Sequence, residues 1–322
     1  MSQRNISIDI LRFLAVMAIV NSHLGKLYGE YSSFATGGAI GNALFFFISG
    51  FSICIDRFQY FFNFYKRRIS RIYPTVFSWA LVCCLLHGTA PGILDVILYG
   101  GGWFVSCIML YYVPFFFLRK YYSHRLKFVL VVFVFIVIPL YWLFNDVSAF
   151  NIFGDTYYKW FLYFIFMLQG AIMSNSYAHK LMTVRNGWAE LLKAIACIVV
   201  FYTLFSFMHS DTYNVVQLAS LPALIGVVHF LFRLCSVDVI SRLFTTTLLG
   251  TVMKIVGSLC LEIYLVHFVF LTDMCNNLFP LNILLYFLIV LCAAYLLRCI
   301  ARIWSQTFKD APYDWKAVFL WV

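Results

Sequence analysis

Residues 7 to 26 read SIDILRFLAVMAIVNSHLGK, a run apolar enough to cross a bilayer that nonetheless keeps Asp9 and Arg12 near one end and His23 near the other. Ionisable side chains in such a span are costly, and they face a bundle interior, a wet cavity or one another. At roughly 100° per residue, the 11 steps from Arg12 to His23 end about 20° past three full circles, so both side chains lie on one stripe, roughly 16 Å apart along the axis. Asp9 stands one turn below Arg12 on nearly the same face, where the two can pair. Snorkelling of Arg12 to the cytoplasmic interface and a hydrogen-bonded interfacial His23 are the plain alternatives. The face shared with Asp9 favours a polar track inside a helix bundle.

The rest of the chain is of the same kind. Of its 322 residues 63% are hydrophobic and 11% charged, a balance that excludes a water-soluble globule of this length and places most side chains against lipid or other membrane helices. With 36 Phe and 21 Tyr, it has the aromatic content of a bundle with a large lipid-facing area. Runs of about 20 apolar residues occur at 7–25, 38–56, 72–88, 103–118, 127–145, 157–175, 189–208, 214–233, 253–273 and 281–304. The expected fold is therefore all-α: one integral membrane domain over residues 1–322, a bundle of about ten transmembrane helices. The stretch TTTLLGTV (245–252) extends the ninth span or lies at the interface. The first run lacks a small-residue cleavage site and is expected to stay in the mature protein. The 10 Cys are scattered without paired spacing, so they read as small apolar fillers, and neither a disulfide framework nor a metal site is expected.

Lys and Arg near span ends stay on the cytoplasmic side. Alternate connections carry Arg57, Lys66, Arg67, Arg68 and Arg71; Arg119, Lys120, Arg125 and Lys127; Lys180 and Arg185; Arg233, Arg242 and Lys254; and a tail with Arg298, Arg302, Lys309 and Lys316. The others hold Lys26 and Lys159 against Glu30, Asp95, Asp146, Asp155, Asp211 and Asp273. Both termini are expected in the cytoplasm. The net charge of +10 is then a topology signal and makes no case for a nucleic-acid partner.

Further polar groups stand out against this apolar background. YKRRISRIYP (65–74) sets Arg68 and Arg71 one turn apart beside Lys66 and Arg67, just before the third span; planar guanidiniums suit bidentate phosphate contacts, although any cytoplasmic loop gathers such charge. SLCLEIYLVHFVF (258–270) puts Glu262, Tyr264 and His267 inside the ninth span, where an unpaired carboxylate is expensive. Five residues turn a helix by roughly 500°, leaving Glu262 and His267 about 140° apart, so each must look to another helix. NALFFFISGFSI (42–53) with Ser49 and Gly50, and the fourth span opening on Trp103, read first as close helix packing.

Taken together, IDILRFLAVMAIVNSH, FFFISGF, the Arg68 and Arg71 pair of RRISRIYP, WF followed by LYYVP, and LEIYLVH resemble acyltransferase family 3, in this order and over essentially the whole chain. The resemblance implies transfer of an acyl group, usually acetyl, from cytoplasmic acyl-CoA to a glycan hydroxyl. It also implies a multi-pass protein of the bacterial cytoplasmic (inner) membrane, with membrane lipids, acyl-CoA and a glycan acceptor as its partners. By the same resemblance Arg12 and His23, with Asp9 beside them, are the essential first-span group, and Arg68 and Arg71, with Arg67 and Lys66, contact the CoA nucleotide. Some branches carry paired Glu after the Trp of the fourth span, where this chain has Ile108 and Met109. His23 is the expected general base, an acyl-histidine intermediate being the competing scheme. Glu262, Tyr264, His267, Trp103 and Ser49 are expected to contact the acceptor. A membrane transporter using the same buried groups is the rival reading.

Overall fold

Hydrocarbon offers no partner for backbone polar groups, and a chain as apolar as this one satisfies them within helices. In a computed structural model of the protein, which describes residues 5–55, 60–88, 91–145, 150–178, 186–210, 212–273, 275–308 and 310–321, 85% of the described residues are helical and none of them forms a strand. Arg57, Asp146, Lys180, Arg185, Asp211 and Lys309, which count in the charge alternation, lie outside that set.

Among the described residues, six helical stretches are long and apolar enough to cross a membrane, or up to eight if each of two bent pairs is one span. Each of the ten expected runs is mainly helical, but several are interrupted. The sixth splits at Tyr163 into Lys159–Leu162 and Phe164–Ala178, and the ninth splits at Leu259 into Leu248–Ser258 and Cys260–Val266, followed by a 3₁₀ turn, His267–Phe270. The third begins earlier than its hydropathy indicates: one helix runs Phe61–His87, so the basic group at 66–71 is its first turns and not a loop before it. The chain also runs helically from Gly102 to Phe144, broken only by the 3₁₀ turn Ser123–Arg125.

In chain order the helices are α1 (Ile6–His23), α2 (Gly25–Tyr28), α3 (Gly38–Ile55), α4 (Phe61–His87), α5 (Ile93–Tyr99), α6 (Gly102–Tyr122), α7 (Leu126–Phe144), α8 (Lys159–Leu162), α9 (Phe164–Ala178), α10 (Gly187–Phe205), α11 (Ser220–Cys235), α12 (Asp238–Thr246), α13 (Leu248–Ser258), α14 (Cys260–Val266), α15 (Leu281–Thr307) and α16 (Trp315–Val318). They form two compact units, one of Met1–Ala15, Ala39–Arg57 and Phe115–Thr251, the other of Val16–Gly38, Phe58–Pro114 and Val252–Val322.

In the first unit, small residues let helices touch. A Cβ on Gly50 of α3 would overlap the carbonyl of Met167 on α9, and one on Gly170 of α9 would overlap that of Phe47 on α3. Around this crossing Phe46, Phe47, Phe51, Phe166 and Phe232 are fully buried. Arg233 of α11 donates to both oxygens of buried Glu190 on α10, at 2.9 and 3.0 Å.

In the second unit α14 and α15 pack on α4. The chain that follows His23 is strapped back onto the last turn of α1: Asn21 donates to the carbonyls of Phe34 and Thr36, at 2.8 and 2.9 Å, and accepts from the Tyr28 hydroxyl at 2.7 Å. Asn282 at the start of α15 donates to the carbonyl of Leu27 at 2.8 Å, so α2 is held from both sides. At the other end of α15, Arg302 donates to the carbonyls of Val318 and Leu320, and Tyr295 stacks on Trp321 with ring centres 3.9 Å apart. All ten cysteines are free thiols.

Candidate active site

Helix α1 carries Asp9 in its first turn and His23 in its last, an arrangement that suits the helix dipole at both ends. In the first unit Arg12 donates to Asp9 at 2.9 Å, the pairing that their spacing anticipates, and Asp9 is buried. A buried carboxylate held by its own helix's guanidinium neutralises most of the charge that either group would bring into the bilayer alone.

In the second unit His23 is exposed, and its ring lies beside two side chains of the broken ninth segment: His267, with ring centres 5.2 Å apart and a tilt of 41°, and Phe268, at 4.5 Å. His267 is 0% exposed. Its Nδ1 stands 2.7 Å from the carbonyl oxygen of Tyr264 and 3.2 Å from that of Ile263. Carbonyls only accept, so Nδ1 carries the proton and Nε2 is left with its lone pair. Nε2 is buried and has no hydrogen-bond partner. The His267 carbonyl in turn accepts from the Tyr286 hydroxyl of α15 at 2.9 Å. A 3₁₀ turn begins at His267, directly after the turn whose Ile263 and Tyr264 carbonyls its imidazole meets.

Tyr264 packs 6.0 Å from the His267 ring and 5.6 Å from Phe104. Its hydroxyl lies against Gly102, at the start of α6, where a Cβ would come within 3.0 Å of it and where φ is +66°, a conformation glycine adopts without strain. Half-buried Trp103 follows directly and meets Phe104 edge-on. His23, His267, Tyr264 and the first turn of α6 at Gly102 and Phe104 thus adjoin one another in turn.

Glu262 faces elsewhere. Arg298 of α15 donates to both of its oxygens, at 3.2 and 3.0 Å, and reaches the Ser258 hydroxyl at 3.0 Å. Its carboxylate is committed to holding α14 on α15. Of the basic group on α4, Lys66, Arg67 and Arg71 are exposed, whereas Arg68 is buried with its guanidinium over the rings of Phe64, at 5.2 Å, and Tyr112, at 5.6 Å. Ser49 is half-buried on α3 in the first unit, next to the Gly50 crossing. Two partners escape the sequence reading: Arg298, counted there only as a cytoplasmic charge, and Phe268. The signal for the first is a carboxylate deep in an apolar run, which needs a cation on another helix; nothing in the sequence distinguishes Phe268 from the other phenylalanines.

Compared with known proteins, the chain has no match among curated sequences or solved structures. The model of the acyltransferase family 3 domain, described as an acyltransferase domain, matches residues 5–301. That range takes in α1 with its Arg12 and His23, the basic turns of α4, and the whole segment from Glu262 to His267, and on it the chain belongs to acyltransferase family 3 as a multi-pass membrane acyltransferase.

Proposed function

We propose that the protein moves an acetyl group from cytoplasmic acetyl-CoA to a hydroxyl of a cell-surface or lipid-linked glycan, with His23 as general base. The observation that carries this reading is the placing of His23: an exposed imidazole at the end of a helix with half its residues buried, flanked by His267 and Phe268. The exposed guanidiniums and ammonium of Arg67, Arg71 and Lys66 hold the phosphates of CoA, and Arg68, fixed between Phe64 and Tyr112, stiffens that turn of α4. The pantetheine arm presents its thioester to His23. On α1 the stripe from Arg12 to His23 covers roughly 16 Å, a length comparable with that arm's reach. Arg12 stabilises Asp9 in the first turns of α1.

In the transfer step the sugar oxygen attacks the thioester carbonyl carbon while its proton passes to a ring nitrogen of His23. The tetrahedral adduct then collapses, the carbon–sulfur bond breaks, and the departing CoA thiolate takes that proton back. Tyr264 and Trp103 line the acceptor side. The charge alternation supports ten crossings with both termini in the cytoplasm of a bacterial inner membrane.

Positioned bases contribute roughly 10²–10⁴-fold to such reactions. His23→Ala is therefore expected to lower transfer of label from radiolabelled acetyl-CoA into the glycan fraction of membrane vesicles by about 100-fold or more, at unchanged abundance in the membrane. Normal transfer by that variant would remove His23 from the chemistry. Loss of glycan export with no label transferred by the wild-type protein would point to a transporter.

A further inference from the structure

We propose that His267 is the positioning residue of His23: its Nε2 accepts a hydrogen bond from a His23 ring N–H and so fixes which nitrogen of His23 faces the acceptor. The inference rests on the reading of His23 as the base and goes beyond it, because it names what makes that imidazole a base with a defined direction.

The argument begins with a polar atom that has nothing to do. His267 is completely buried, Tyr264 and Ile263 hold its Nδ1 as a donor, and Nε2 is left as an acceptor without a partner. Buried acceptors in apolar surroundings are nearly always satisfied, so an orphan calls for a partner that the resting arrangement does not supply. The ring beside it that can bring an N–H is His23. Ring nitrogens sit a little over 1 Å from an imidazole's centre, so an N–H···N bond of ordinary length joins two such rings with their centres roughly 5 Å apart. The observed separation is 5.2 Å. A turn of the exposed His23 ring about its broad second side-chain torsion brings a nitrogen onto Nε2 without moving the backbone.

The chemistry that follows is that of an oriented base. With one nitrogen donating to His267, the other nitrogen of His23 carries the lone pair toward the exposed side, where a sugar hydroxyl arrives. When that nitrogen takes the hydroxyl proton, the imidazolium still donates to His267, and a charge-assisted hydrogen bond stabilises the new charge. His267 gains and loses no proton. Carboxylates fill this role in many triads, but here Glu262 is bound to Arg298, and a neutral imidazole orients the base without placing a further charge in the bilayer.

The test uses the full-length protein in membrane vesicles supplied with radiolabelled acetyl-CoA, with label counted in the glycan fraction and rates normalised to protein in the membrane. His267→Leu, which fills the space without an acceptor, is expected to lower kcat at least tenfold with KM for acetyl-CoA within twofold of wild type. His267→Gln, whose amide donates to the Tyr264 carbonyl and keeps an accepting oxygen near the position of Nε2, is expected to restore most of that loss. If leucine prevents insertion, His267→Met serves in its place. The double variant His23→Ala/His267→Leu is expected to transfer no more slowly than His23→Ala alone, since a residue that works only through His23 has nothing left to position. Wild-type kcat in His267→Leu, an equal loss in the glutamine and leucine variants, or additive losses in the double variant would each overturn the proposal. Inactive His23→Ala beside fully active His267→Leu sinks the pairing and leaves the base standing; active His23→Ala sinks both.

Discussion

Glu262 and His267 stand five residues apart on one segment and meet different partners. The helical angle between them, about 140°, already says that they face different neighbours. Glu262 turns to Arg298, whose bidentate grip also takes in Ser258, and His267 turns to His23 and Tyr286. That each must find a partner is legible in the sequence, because an unpaired carboxylate in hydrocarbon is too costly to persist. Which partner it finds is not, because Arg298 reads as one more cytoplasmic charge until α15 is laid against α14. The two pairs differ in what removing a member does. Glu262→Gln leaves the Arg298 guanidinium facing an amide in a mostly buried site, and breaking such a pair from one side costs about 3–5 kcal/mol. We expect a clear fall in the thermal unfolding midpoint of the detergent-solubilised protein, with Glu262→Met/Arg298→Leu recovering much of it. An unchanged midpoint in Glu262→Gln would show that the pair does not hold α14 on α15.

Among the elements, the long apolar runs are the legible part: each run that hydropathy marks is mainly helical, and six to eight helical stretches among the described residues are long and apolar enough to cross a membrane. Hydropathy misplaces the ends wherever charge and helix coincide. The cluster at Lys66 to Arg71 looks like a loop by composition, yet nothing in it breaks a helix, and α4 simply continues through it. Hydropathy also misses the breaks at Tyr163 and Leu259, since neither carries proline or glycine. The α3–α9 crossing is half-legible. Gly50 reads as a packing residue in FFFISGF, but its counterpart Gly170 is not singled out by its surroundings. Each glycine sits against the other helix's backbone, which cannot yield as a side chain can, so Gly50→Ala is expected to cost about 1–3 kcal/mol by overpacking. Gly25→Ala is the control, since its added Cβ would meet only Ala35 at 3.9 Å. Comparing unfolding midpoints of the two variants checks the crossing: equal midpoints would mean that α3 and α9 do not depend on that approach.

For the whole molecule, the decisive stretch is the one from Gly102 to Phe144. It contains 43 residues, and at 1.5 Å per residue a straight helix of that length would reach roughly 64 Å, about twice the hydrocarbon core. Its middle carries Arg119, Lys120, Arg125 and Lys127, each of which costs about 2.5–3.5 kcal/mol at the centre of a bilayer. The middle therefore lies outside the core. Both flanks are apolar and rich in exposed large side chains, among them Leu110 and Phe117 on one and Phe128, Phe135 and Leu143 on the other, which water would not tolerate as a continuous surface. These three constraints predict two crossings that meet at the 3₁₀ turn Ser123–Arg125, and the positive charges of that turn predict that it faces the cytoplasm. Ser123→Cys in an otherwise cysteine-free protein is then expected to react with a membrane-impermeant maleimide in inside-out vesicles and to stay unlabelled in intact cells. A cysteine placed at Asn145, just past the end of α7, is expected to show the reverse. Labelling of both positions from the same side would mean that the stretch crosses an even number of times between them or not at all, and the alternation on which the ten-crossing topology and the cytoplasmic approach of acetyl-CoA depend would fail with it.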